Sequence, residues 1–304
     1  MLSVNHIQSK LNRVAVRGRP FLTFRRILEL FWLTQLKPRL DLDPNMREGL
    51  ASDVKFDVVI PVAEKDLETL PYAVEGVRKN LMHPIGEIII VGQKKPRLVQ
   101  TVEKLHCRFV DEAALLADLP EFSYELNGVD RSGWLRQQFI KLSFDAISTS
   151  EHVLILDADT VFIRPHVMLW KGRTVFNQSS DYHRPYFEVL ERILGINHPS
   201  ALSFTAHYVP LSRTIITALK RELETKNGCS WYQAILEAVD LEEGAAFSEQ
   251  DLYGNYFFVH HRREMSRNYW FNLALSREEL SRLDFHCSDK KNRYKSISFH
   301  NYMS

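Results

Sequence analysis

The chain has 304 residues, 45% of them apolar and 25% charged, with a formal net charge of +1. This is the composition of a globular protein, long enough for one large α/β domain with an appendage or for two small domains. The charge balance argues against a dedicated nucleic-acid binder, and the three widely spaced cysteines (Cys107, Cys229, Cys287) form no CxxC pair, so neither a zinc site nor a disulfide framework is expected and a reducing cytoplasm suits them.

Residues 1–54 read as an N-terminal helical extension. They mix basic residues (Lys10, Arg13, Arg17, Arg19, Arg25, Arg26, Lys37, Arg39) with apolar ones. The stretch 21–36 predicts a short helix with a broad apolar face and a basic end. Such a helix suits peripheral contact with an anionic membrane, and equally a place packed on the rest of the protein. No run reaches the ~20 apolar residues that span a bilayer, and no signal peptide is read. Residues 41–53 read as a polar linker.

Residues 55–304 read as one α/β domain. The apolar run 55–62 predicts the first strand, followed by a helix over 67–81. Residues 86–92 predict a second strand, 98–105 a helix and 107–111 a third strand. Strand–helix alternation marks a parallel sheet with covering helices. No GxGxxG and no Walker A loop follows the first strand, which counts against dinucleotide-binding enzymes and P-loop NTPases. Residues 112–131 read as irregular. The spacing of Trp134, Phe139, Leu142 and Ala146 predicts a helix that carries Arg136, Gln137 and Lys141 on its polar side.

The run Val153–Leu156 predicts a buried parallel strand. It ends on Asp157 and Asp159, separated by Ala158. Carboxylates at the carboxyl end of such a strand meet solvent and a ligand, and two hard oxygen donors suit Mg²⁺ or Mn²⁺. Further on, 174–176 predicts a short strand and 181–187 an aromatic-rich loop opening a helix. Residues 202–213 read as a strand and turn, with His207 and Arg213 as polar candidates. Ser248 is a good N-cap, with Asp251 three residues on, which leaves Glu249 without a structural reason. A helix N-terminus favours the ionised form of such an acid. The last segment puts His300 near the C-terminus.

The hydrophobic strand ending in Asp157-x-Asp159, followed by a second short strand, resembles the DxD motif of glycosyltransferases of the GT-A, nucleotide-diphospho-sugar transferase fold. The likeness runs from about Phe56 to the end. The Gly-Trp-x-x-Gln-Gln-x-x-Lys-Leu wording at 133–142 resembles uncharacterised bacterial polysaccharide transferases. The resemblance implies a Rossmann-like, mostly parallel central sheet covered by helices. It implies Mn²⁺ or Mg²⁺ held by Asp157 and Asp159, with His300 as a further ligand and His286 behind it. It places Pro61, Val62, Ala63 and Asp66 at the nucleobase and ribose, and Arg136, Gln137 and Lys141 with Asp157, Ala158 and Asp159 at the donor. Glu249, then Asp251, would activate the acceptor hydroxyl, with His207 and Arg213 contacting the acceptor. The implied activity is sugar transfer from a nucleotide-sugar to a glycan or lipid-linked acceptor, in bacterial surface polysaccharide synthesis at the cytoplasmic face of the membrane. Two other readings stand beside it. Asp157 fits the nucleophile of a haloacid-dehalogenase-type phosphatase, although that motif normally opens the chain. A non-catalytic scaffold of the same fold would use these acids only as caps.

Overall fold

The computed structural model describes residues 16, 19–40, 42–46, 52–197, 199–282 and 294–300. His286 lies outside them. The strands are β1 (Phe56–Pro61), β2 (Ile85–Gly92), β3 (Arg108–Asp111), β4 (His152–Leu156), β5 (Thr160–Phe162), β6 (Arg173–Gln178), β7 (Tyr208–Ser212), β8 (Met265–Tyr269), β9 (Asn272–Ser276) and β10 (Ser296–His300). The main helices are α1 (Pro20–Phe31), α2 (Leu70–Asn80), α3 (Pro96–Lys104), α4 (Ser132–Leu142), α5 (Arg184–Leu194), α6 (Arg213–Asn227), α7 (Trp231–Ala238) and α8 (Glu249–His260).

The central sheet has the order β7-β4-β1-β2-β3. All neighbours in it are parallel except β7, which runs antiparallel to β4 and pairs Tyr208 with Leu156 and Ser212 with His152. The unbroken Val/Ile/Leu runs of β1, β2 and β4 fit strands buried on both faces. Val59, Ile89, Val153 and Ile155 face a core shared with α4 to α8. Their alternates Val58, Ile60, Ile90 and Leu154 face a second core under α2 and α3. Period-two alternation thus feeds two cores from one sheet. This is the fold class expected: a mostly parallel, helix-covered α/β sheet.

Two smaller sheets flank it. β10 lies between β9 and β5, antiparallel to β5 with Ser298 opposite Thr160. β8 pairs parallel with β6. The C-terminal strand is therefore an interior element, and it brings His300 back beside the turn that follows β4. Residues 112–131, read as irregular, contain a helical turn at Glu112–Leu115 and a two-residue hairpin, Glu125–Leu126 with Val129–Asp130. Arg184–Phe187, read as a loop, are the first turn of α5.

Candidate functional site

The site begins at the turn after β4, whose backbone is clamped from three directions. The Asp157 N–H donates to the His207 carbonyl (2.9 Å), the Thr69 hydroxyl donates to the Ala158 carbonyl (2.8 Å), and the Phe299 N–H donates to the Asp159 carbonyl (2.9 Å). With the backbone groups satisfied by protein, the two carboxylates are free to turn toward a cleft. That cleft, of about 260 Å³, is floored by Asp157, Ala158 and Asp159 and walled by Gln138, Lys141, His207 and Glu249 among others.

Asp157, Asp159 and His207 each offer a ligand atom, and these atoms lie within 4.8 Å of one another. His207 reaches this place through a left-handed backbone, φ 53°, a conformation that costs a non-glycine residue on the order of 1–2 kcal/mol. The strain is held by its neighbours: its carbonyl accepts from Asp157, and its Nδ1 lies 2.8 Å from the Ser298 hydroxyl and 3.2 Å from that of Thr160. With Nδ1 so engaged, Nε2 is the nitrogen left for a metal. Two carboxylates and an imidazole form a donor set suited to Mn²⁺ or Mg²⁺, so the residues present fit a divalent cation.

His300, expected as the third ligand, lies outside this converging group. Its Nδ1 is 3.5 Å from Asp159 Oδ2, and its ring stands edge-on to His207 with centroids 5.2 Å apart. His207, expected at the acceptor, is the imidazole that stands with Asp157 and Asp159. Burial raises the Asp159 carboxyl, but the contact with His300 and the nearness of His207 outweigh it and hold the group below its ordinary range. Burial pushes the His207 imidazole down, toward the neutral form that binds metal.

Lys141 is the second feature. It lies in the last turn of α4, is 5% exposed, and its Nζ is 2.7 Å from Asp157 Oδ1 and 3.0 Å from Glu249 Oε1. Burial would lower its pKa; the two carboxylates more than reverse that, so the ammonium is held charged. The approach to Glu249 Oε1 makes a second ion pair inside the protein. Burial raises the Glu249 carboxyl against the pull of Lys141. The helix N-terminus therefore does not set its ionisation alone, contrary to expectation.

Asp251, the other candidate base, faces away from the cleft and is wholly buried. It accepts from the Ser203 hydroxyl (2.7 Å), the Phe204 N–H (2.8 Å) and the Thr205 hydroxyl (3.1 Å). These bonds occupy its oxygens, so it acts as a structural acceptor that carries residues 203–205 up to His207. The Ser248 hydroxyl caps α8 by accepting from the Asp251 N–H (3.1 Å), as the motif predicts. Gln250, beside it, accepts from the Ala206 N–H (2.7 Å) and lines the cleft. Arg213, expected at the acceptor, lies away from the cleft. Because β7 is antiparallel to β4, Arg213 comes out at the opposite end of the sheet from Asp157. There it donates to the Asp145 and Ser148 carbonyls.

A second hollow of about 340 Å³ adjoins the first and shares Lys65, Trp134 and Gln137 with it. Val62, Ala63 and Arg136 line this lobe, together with Gln93 and Glu112. Pro61 and Asp66 line the acid lobe, where Asp66 is bonded to Arg277. Burial raises the Asp66 carboxyl. Gln138, Gln250 and Tyr186 also reach the cleft and were not singled out in the sequence.

The family described as "Family of unknown function (DUF6492)" matches residues 88–294. No curated protein matches the chain in sequence. Among solved structures, mouse xyloside xylosyltransferase 1 in its apo form is similar at 14% identity and a TM-score of 0.47, covering 83% of this chain and 99% of that one. The galactosyltransferase LgtC, in complex with donor and acceptor sugar analogs, is similar at 13% identity and a TM-score of 0.42, covering 82% and 91%. Glucosyl-3-phosphoglycerate synthase from Mycobacterium tuberculosis, in complex with Mn²⁺, uridine diphosphate and glucosyl-3-phosphoglycerate, is similar at 13% identity and a TM-score of 0.41, covering 73% and 75%. Likenesses this distant carry no argument about chemistry, which is left to the residues of the site.

Proposed function

The chain belongs to DUF6492, a family of unknown function, and we propose that it is a metal-dependent glycosyltransferase. It moves a sugar from a nucleotide-sugar donor to a hydroxyl of a glycan or lipid-linked acceptor, in the making of a bacterial surface polysaccharide. The observation that carries this reading is the convergence of Asp157, Asp159 and His207 at the carboxyl end of a parallel strand, inside a two-lobed cleft.

Asp157, Asp159 and His207 would hold Mn²⁺ or Mg²⁺, and His300 would steady Asp159. A bound divalent cation supplies Lewis-acid stabilisation of a leaving nucleoside diphosphate. The nucleoside would occupy the lobe formed by Val62, Ala63, Gln93 and Arg136. Lys141 holds a fixed positive charge at Asp157, where it offsets part of the charge that two carboxylates and a diphosphate bring together. Glu249 points into the cleft from the start of α8. It is the candidate base of an inverting reaction, or the group that orients the acceptor in a retaining one. Tyr186 and Trp134 offer aromatic faces for a sugar ring or base.

The test is a thermal-shift screen of nucleoside diphosphates with and without Mn²⁺, on the wild type and on Asp159→Ala and His207→Ala. At a ligand concentration ~100 times the dissociation constant, binding adds about 2.7 kcal/mol of stability. The expected result is a Mn²⁺-dependent rise for one nucleotide, lost in both variants. No rise with any nucleotide would overturn the reading. So would phosphate release from a phosphomonoester that needs Asp157 but no nucleotide, which would make the protein a phosphatase.

A further inference from the structure

The helix α1 is turned inside out. In an amphipathic helix packed on a protein, the apolar stripe faces the core. Here Phe21 is 80% exposed and Phe24 59% exposed, and Leu28, Phe31 and Trp32 stand out on the same side. The inward side carries polar groups alongside the buried Leu33. The Arg26 guanidinium is fully buried, donates to the Ala201 carbonyl (2.7 Å) and the Ser180 carbonyl (2.6 Å), and lies over the Tyr182 ring. Glu29 accepts from Arg267 (2.7 Å). Beyond the helix, Lys37 is buried and donates to the Arg267 carbonyl (2.7 Å) and to Asn268 Oδ1 (2.5 Å). Turning the apolar stripe inward would leave these buried polar groups without partners, so the rotation of α1 is fixed.

A contiguous apolar ridge in water needs a partner. Two observations say which kind. Arg19 and Arg39 stand exposed at the two ends of the ridge. In the sequence up to residue 40, Glu29 is the sole acid, against Lys10, Arg13, Arg17, Arg19, Arg25, Arg26, Lys37 and Arg39, in a chain whose net charge is only +1. Arg19 and Arg39 are thus exposed cations beside the apolar residues, in a stretch of sequence with a single acid. A second copy docked on this ridge would bring like charges together. An anionic lipid surface would meet both the apolar residues and the cations. No described helix is long and apolar enough to cross a membrane, so the contact would lie in the interface plane.

We infer that α1 is a membrane-docking ridge, which inserts Phe21, Phe24, Leu28, Phe31 and Trp32 into an anionic lipid bilayer surface while Arg26 and Lys37 pin its other face to the protein. The inference goes beyond the proposed chemistry and does not depend on it. The α5 helix links the two regions: Tyr186 lines the cleft, while Tyr182, just before α5, lies under Arg26 of α1.

The experiment is co-sedimentation of the full chain with phosphatidylcholine vesicles, with and without phosphatidylglycerol. The wild type is compared with Phe24→Ser/Leu28→Ser, Arg19→Glu/Arg39→Glu and, as a control away from the ridge, Val129→Ser. The expected result is binding to anionic vesicles that weakens with salt, falls roughly tenfold or more in each double variant, and is unchanged in the control. Melting curves of the exposed-face variants should match the wild type, so a loss of binding is not a loss of fold. Overturning results are no sedimentation of the wild type, binding that survives both double variants, or a mass by light scattering that drops from dimer to monomer in Phe24→Ser/Leu28→Ser without any vesicle binding. Vesicle binding that is independent of phosphatidylglycerol would also overturn the electrostatic half of the argument.

Discussion

Lys141 sits between Asp157 and Glu249, three charged groups with one positive charge among them, and both ends of its contact are largely shielded from water. A buried pair contributes little net stability while intact, yet removing one partner leaves an uncompensated charge. Lys141→Met is expected to lower unfolding stability by about 3 kcal/mol, read from the urea midpoint. Adding Glu249→Gln should recover much of that loss, because it removes the carboxylate left stranded. A double variant no more stable than the single one would show that Lys141 acts through packing alone. Asp251 has a different part. Asp251→Ala leaves the Phe204 N–H and the Ser203 and Thr205 hydroxyls without their acceptor. It should cost stability by about 2 kcal/mol and weaken Mn²⁺-dependent nucleotide binding through His207. Asp251→Asn, which keeps one acceptor oxygen, should lose less of both.

At the scale of elements, α8 and the 203–206 segment form one unit. Gly254 makes it possible: a Cβ there would lie 2.3 Å from Phe204 Cγ, against the base of that side chain. Gly254→Ala must push the segment away or bend the helix, an overpacking cost of about 1–3 kcal/mol. Since that segment leads directly into His207, the same substitution should reduce metal-dependent nucleotide binding more than its effect on melting would suggest. The helix itself is buried on all sides from Glu249 to Phe258. It behaves as a core helix, and its polar first turn is spent on the loop and the cleft.

For the whole molecule, two buried histidines join layers and make it sensitive to acid. His83 Nδ1 donates to the Val54 carbonyl (3.0 Å), and its Nε2 accepts from the Met168 N–H (2.9 Å), which fixes a neutral ring between the approach to β1 and the segment before β6. Burial lowers its pKa to about 4, and that of His166, stacked on Phe162, to about 3. Both values lie below the ordinary 6.5, so the unfolded chain takes up these protons first. Stability is then complete above pH ~6.5 and is lost as the pH falls toward about 4, with His83 contributing at most about 3 kcal/mol of the loss. Denaturant midpoints measured between pH 7 and pH 4 check this. In His83→Gln, whose amide offers a donor and an acceptor without titrating, the slope over that range should flatten.

What the sequence determined by itself were the parts governed by near neighbours. The short apolar runs read at 55–62, 86–92 and 153–156 pointed to buried strands, because a strand in a helix-covered parallel sheet is buried on both faces. Asp157 and Asp159 had to stand at a strand end, because a carboxylate there can still reach solvent. Ser248 had to cap a helix. Only the tertiary structure decided the parts that depend on distant partners. The antiparallel run of β7 sent His207 to the metal-capable cluster and Arg213 to the far end of the sheet, and strand direction is not written in a local pattern. The bonds of Asp251 to residues 203–205 took it out of the cleft and left Glu249 facing it. The helix at the N-terminus was legible as amphipathic, but which face it shows to water was not. That was settled by carbonyls and side chains far along the chain, at Ser180, Ala201, Arg267 and Asn268, which bind its charges and leave its apolar side outward.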